Sequence, residues 1–80
     1  MRAQKLISNT VRIGMNDKME RMRRKLVPGS IYTVSVRTSE GMDYELLRCV
    51  EHYPFGVLFE SARYIRQFLN YAEAVERVRL

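Results

Sequence analysis

Apolar residues recur at two different periods along this chain. Met15, Met19, Met22 and Leu26 follow helical spacing and form one narrow apolar stripe. Asp17 suits the N-cap of that helix, with Glu20 three residues on in a capping-box-like spacing. The predicted helix runs from Asp17 to about Lys25, and Pro28-Gly29 ends it. Beyond it the period falls to two. Ser30 to Arg37 reads as a strand, with Tyr32, Val34 and Val36 on one face and Ile31, Thr33, Ser35 and Arg37 on the other. Ser39-Glu40-Gly41 is a loop. Tyr44 to Tyr53 is the longest predicted strand and the most bent. Simple alternation puts Leu47, Cys49, Glu51 and Tyr53 on one of its faces, and Leu46, Arg48, Val50 and His52 on the other.

Pro54 presets φ for the second position of a tight turn, and Gly56 suits the fourth. Val57 to Ser61 is then a third strand, Ala62-Arg63-Tyr64 a connector, and Ile65 to Asn70 a fourth strand. Tyr71-Ala72-Glu73 reads as a single 3₁₀ turn. Val75 to Leu80 reads as a fifth strand, with Val78 and Leu80 inward and Arg77 and Arg79 outward. Residues 1–13 fit either an arm or a short first helix. The expected class is mainly β with an N-terminal α-helix: one domain over 1–80, an arm and helix over 1–29, and over 30–80 a strongly bent five-stranded sheet closing on itself.

Composition narrows the partners. Eighty residues bury a modest core, and self-association into a homo-oligomer is one remedy. The net charge of +5 favours a polyanionic partner, whether RNA, DNA, an acidic membrane surface or an acidic protein, against the competing reading of a merely solvated surface. The lone Cys49 allows no internal disulfide and fits a reducing, cytoplasmic setting. No apolar run approaches the roughly 18 residues of a membrane span, and Ser8, Asn9, Thr10 and Arg12 interrupt any signal-peptide core.

Helix, then Val27-Pro28-Gly29-Ser30-Ile31-Tyr32, then five strands resembles the Sm-like fold. With Tyr53-Pro54 before an apolar strand and an aromatic-rich strand leading into Tyr71-Ala72-x-x-Val75, the chain is more closely similar to the Veg family of small Gram-positive bacterial proteins, over about two thirds of its length from Gly29 to Leu80. That resemblance implies a cytoplasmic, non-enzymatic protein with an Sm-like or SH3-like small β-barrel, associated with regulating biofilm formation. The chain departs from it at Thr38-Ser39-Glu40-Gly41-Met42-Asp43, neutral to acidic where Veg-like proteins carry a basic loop. The Lys-His pair of Hfq-type rings is replaced by Asn70-Tyr71-Ala72-Glu73, so uridine binding inside an Sm-type ring is not expected.

Little of the chain suggests catalysis. Cys49 and His52 form C-x-x-H, but strand neighbours three apart point to opposite faces unless a bulge intervenes. His52 has no evident partner for nucleophilic work, and Asp43 with Glu45 sits at a wet loop edge. No catalytic residues, metal ligands or cofactors are expected. The basic residues form two groups. Lys18, Arg21, Arg23, Arg24 and Lys25 put five cations within eight residues of the helix. Arg63, Arg66, Arg77 and Arg79 lie on the late strands, interleaved with Tyr64, Phe68 and Tyr71, which could stack on bases. Packing needs compete for Phe68 and Tyr71, and a solvated surface competes for the charges. The leading expectation is nucleic-acid binding through the basic helix with the strand arginines as an extension. The alternative is a protein partner docking on a strand edge or on Met15, Met19 and Met22, where core packing is the competing explanation.

Overall fold

The computed structural model describes residues 16–80. Residues 1–13 and Met15, assigned above to an arm and to the methionine stripe, lie outside them. Helix α1 covers Asp17–Lys25. Its N-cap is Asn16, one residue earlier than predicted: the Asn16 side chain accepts the Met19 amide at 2.9 Å. Asp17 falls in the first turn, where its carboxylate opposes the helix dipole.

The sheet has five antiparallel strands: β1 (Ile31–Thr38), β2 (Gly41–Tyr53), β3 (Gly56–Glu60), β4 (Arg66–Asn70) and β5 (Val78–Arg79). Their order is β4-β3-β2-β1-β5. The expected loop between β1 and β2 shrinks to the two-residue turn Ser39-Glu40, because Thr38 pairs directly with Gly41. Gly41 takes φ +124°, a region that only glycine enters freely, so pairing resumes at once. Met42 and Asp43 therefore belong to β2.

A bulge interrupts the β2–β3 ladder. Cys49 pairs with Phe59 and Glu51 with Leu58, so Val50 is the extra residue. The bulge reverses the alternation. Leu47 and Cys49 are buried, but Glu51 and Tyr53 are exposed and His52 turns toward the core, opposite to the predicted faces.

The chain after β4 departs most from expectation. Tyr71–Arg77 is a helix, α2, not a single 3₁₀ turn. A full capping box starts it: Asn70 accepts the Glu73 amide at 2.8 Å, and Glu73 accepts the Asn70 amide at 2.9 Å. The helix consumes the first half of the expected fifth strand, 75–77, leaving Val78–Arg79 as β5. Arg77 becomes the last helical residue, and Leu80 is 64% exposed, not inward. The sheet is open: β4 and β5 are its two edges, and α2 bridges the step between them. The predicted closure into a barrel is not made, because two residues of β5 pair only with Thr33 and Val34 of β1.

The core lies between the concave sheet face and the two helices. Val34, Leu47, Cys49, Val57, Phe59 and Leu69 come from the sheet, Met22 and Leu26 from α1 and its C-cap, and Tyr71 and Ala74 from α2. Met19 packs against this cluster. Tyr71 is fully buried as expected, while Phe68 is half exposed on the other face, contrary to its expected packing role. Gly56 is closed in by Phe68 and by the Leu69 carbonyl oxygen, which a Cβ would meet at 2.5 Å. Gly56→Ala should therefore lower stability by about 1–3 kcal/mol through overpacking, read as a drop in the thermal unfolding midpoint. An unchanged midpoint would mean that the β3–β4 contact is looser than described.

Candidate nucleic-acid interface

Helix α1 is only nine residues long, too short to persist in water by itself. Docking holds it. Met22 and Leu26 are buried, each such side chain contributing roughly 1.5–3 kcal/mol. The last carbonyls of a helix lack intrahelical partners, and here the sheet supplies them. The Tyr32 hydroxyl donates to the Lys25 carbonyl at 2.9 Å and accepts the Val27 amide at 2.8 Å. His52 Nε2 donates to the Leu26 carbonyl at 2.6 Å. A carbonyl can only accept, so Nε2 carries hydrogen; Nδ1 lies within hydrogen-bond distance of the Tyr71 hydroxyl, at 2.6 Å. The Tyr71 hydroxyl also lies 3.2 Å from the Tyr53 carbonyl. Burial pushes the Tyr71 phenol above its ordinary value, which keeps it a donor.

With the buried face of α1 fixed, its cations are forced outward. Lys18, Arg21, Arg23, Arg24 and Lys25 are all exposed. Lys18, Arg21 and Lys25 share one flank and, with Met22, Val75 and Leu80, line a shallow groove of about 190 Å³. Arg23 lies on another flank and pairs with Glu20 at 3.2 Å. Among the described residues, Lys18, Arg21, Arg24 and Lys25 have no carboxylate within ion-pair distance. Met22 is buried in the core, and Met19 is partly buried against it.

The strand arginines do not extend this face. Arg66 and Arg79 lie on the convex side of the sheet, away from α1, and three of the four are engaged inside the molecule. Arg66 Nε donates to Glu60 at 3.2 Å, and Arg48 binds the other oxygen of the same carboxylate. Arg77 donates to the Ser35 carbonyl at 2.8 Å and reaches Gln67. Arg79 lies over the Tyr44 ring, 4.5 Å from its centre, and donates to a Tyr44 hydroxyl in reach at 2.8 Å. Arg63 is exposed in the turn after β3.

That turn carries a feature the sequence did not announce. Tyr64 sits at φ 64°, a left-handed conformation unusual for a bulky residue. Ser61 holds it there: its hydroxyl accepts the Arg63 and Ile65 amides, and its backbone bonds to Tyr64 and Ile65. The result is a tyrosine 79% exposed at the edge of a groove of about 330 Å³, lined with it by Ile31, Leu46, Arg48, Glu60 and Ala62. Arg48, on β2 next to β3, lines the same groove as Tyr64.

Although the Val50 bulge turns both Cys49 and His52 inward, no group of three or more metal-capable side chains assembles among the described residues. No described helix is long and apolar enough to cross a membrane. Comparison with known proteins finds no match to a family model, to a curated protein or to a solved structure.

Glu60 gives a measurable handle on the convex side. Hydrogen bonds from Arg66 and then Arg48 hold its carboxyl below the ordinary 4.5. A depressed native value means that the stabilisation is complete above pH 4.5 and is lost as pH falls through the lower native value. Wild type should therefore be more stable than Glu60→Gln above pH 4.5, with the gap narrowing in more acidic solution. Thermal melts across that range test it; a gap independent of pH contradicts the pairing.

Proposed function

We propose that this protein is a small, non-enzymatic regulatory module that binds RNA or DNA on the cation face of α1. The observation that carries the reading is the contrast between the two basic groups. Arg66, Arg77 and Arg79 are engaged by carboxylate, carbonyl and aromatic partners within the fold. Lys18, Arg21, Arg24 and Lys25 are exposed and meet no carboxylate among the described residues. Four such charges on a docked helix give phosphate contacts that need no reorganisation of the protein. Arg63, outside these contacts, is left as an accessory cation.

The architecture supports a binding scaffold. A leading helix, five antiparallel strands in the order β4-β3-β2-β1-β5 and a helical segment between β4 and β5 support reading the sheet as an opened Sm-like or SH3-like barrel. With the Veg resemblance, that reading extends to a cytoplasmic role linked to biofilm regulation. A protein partner adding a strand is the second reading. It is favoured by the open edge of β4 over Arg66–Asn70.

Fluorescence anisotropy with labelled single-stranded RNA and DNA across a salt series tests the first reading. Replacing Lys18, Arg21, Arg24 and Lys25 together by Gln should weaken binding and reduce the slope of log K against log salt by about 3, at roughly 0.7 per phosphate contact on a single strand. Absence of binding by the wild type at low salt, or an unchanged slope, would remove α1 as the binding face.

A further inference from the structure

The convex face of the sheet has no cover among the described residues, yet it is far from polar. The register places Ile31 beside Arg48, Thr33 beside Leu46, Ser35 beside Tyr44 and Arg37 beside Met42. Ile31, Met42 and Leu46 are each more than 60% exposed, and Tyr44 nearly half. A contiguous apolar surface of this kind marks a binding site more often than a solvated face. Its charges indicate what it binds. Arg37, Arg48, Arg66 and Arg79 stand on this face against Glu51 and Glu60. Glu60 is held between Arg48 and Arg66, and Glu51 accepts from the Tyr53 hydroxyl at 2.5 Å. The excess is positive, so a second copy laid face to face would meet its own charge, whereas an anionic ligand would not.

We propose that the groove beneath Tyr64 accepts an unpaired nucleobase, so that the convex face reads single strands in preference to duplex. This rests on the nucleic-acid reading of the protein, though not on α1 as its site. Three features converge at the groove. Tyr64 is largely exposed at the groove's edge, on a turn that Ser61 fixes. Ile31, Leu46 and Ala62 supply an apolar floor for a planar group. Arg48 and Arg66 are half or more exposed despite their bonds to Glu60, leaving guanidinium nitrogens for the flanking phosphates. A base stacks on a tyrosine face whatever its identity, so the site selects unpaired over paired strands and is tolerant of sequence. An acidic peptide would satisfy the arginines but leave the exposed ring face without a planar partner.

The conformation of Tyr64 supplies a clean variant. At φ 64° glycine is at ease, so Tyr64→Gly removes the ring and relieves the backbone together. A thermal melt at or above the wild-type midpoint then shows that any lost binding is not unfolding. Anisotropy is measured with a labelled single-stranded oligouridine and with a blunt duplex of equal length, for wild type, Tyr64→Gly, Tyr64→Phe and the variant with four glutamines on α1. Tyr64→Gly should lose about tenfold in single-strand affinity, with duplex affinity unchanged and Tyr64→Phe close to wild type. If wild type binds the single strand and Tyr64→Gly binds it equally well, the groove proposal is overturned while the α1 reading stands. If the α1 variant binds as wild type and Tyr64→Gly does not, α1 is dismissed and the groove stands. No binding by the wild type at low salt removes both. A random Glu-Tyr copolymer that binds wild type and loses as much affinity in Tyr64→Gly reassigns the groove to acidic peptide, and so overturns the proposal.

Discussion

The joint between the carboxyl end of α1 and the sheet is the interaction on which the rest depends. Two carbonyls, those of Lys25 and Leu26, would be left without partners where the helix stops. Tyr32 from β1 takes one and His52 from β2 takes the other. His52 in turn meets Tyr71, the first residue of α2 and the largest fully buried side chain. One chain of hydrogen bonds thus links α1, β2 and α2, with β1 joined through Tyr32. It lies beside the apolar contacts of Met22 and Leu26, so polar and apolar terms fix the same helix in the same place. A half-satisfied version would cost more than it contributed; among the described residues, no buried side-chain nitrogen or oxygen is left unpaired.

That joint divides the surface. Because α1 and α2 cover the concave face, the cations of α1 point away from the sheet on one side and the convex face is left open on the other. The two basic groups therefore belong to different sides of the molecule and have different chemistry. On α1 they are long, solvated side chains suited to a diffuse polyanion. On the convex face they are arginines ordered by Glu60 and Tyr44, set among apolar residues, and suited to a shaped ligand.

Local signals carried much of the fold. The limits of α1 follow from its apolar period and from Pro28-Gly29, and Tyr53-Pro54-Phe55-Gly56 is a two-residue turn with Pro54 where a turn needs it. The sharing of one face of β1 by Tyr32, Val34 and Val36 follows from alternation. The failures are physical too. Both faces of β2 are partly apolar, so nothing in its pattern marks Val50 as the bulged residue, and simple alternation groups His52 with Leu46 and Arg48 where the bulge sets it beside Cys49. Helix α2 has a local signal, the Asn70-x-x-Glu73 capping box, but Val75 and Val78 alternating with Arg77 and Arg79 read as strand, which leaves only Tyr71-Ala72-Glu73 for a single turn. The cation set on α1 was legible because one short helix carries all of it. The Tyr64 groove was not, because strand register brings together Ile31, Leu46, Arg48 and Glu60 from three strands, and no spacing along the chain records that.

The central claim is that α1 is an integral part of the folded unit, tied by Tyr32 and His52, and not an appendage that samples the surface. Native-state amide hydrogen exchange, resolved by residue, tests this most directly. If the joint is as described, the α1 amides hydrogen-bonded within the helix, with Leu26 bonded to the Met22 carbonyl, are protected to nearly the same free energy as the β2–β3 amides. Fast exchange of the α1 amides beside a fully protected sheet would contradict the account, and the cation face with it.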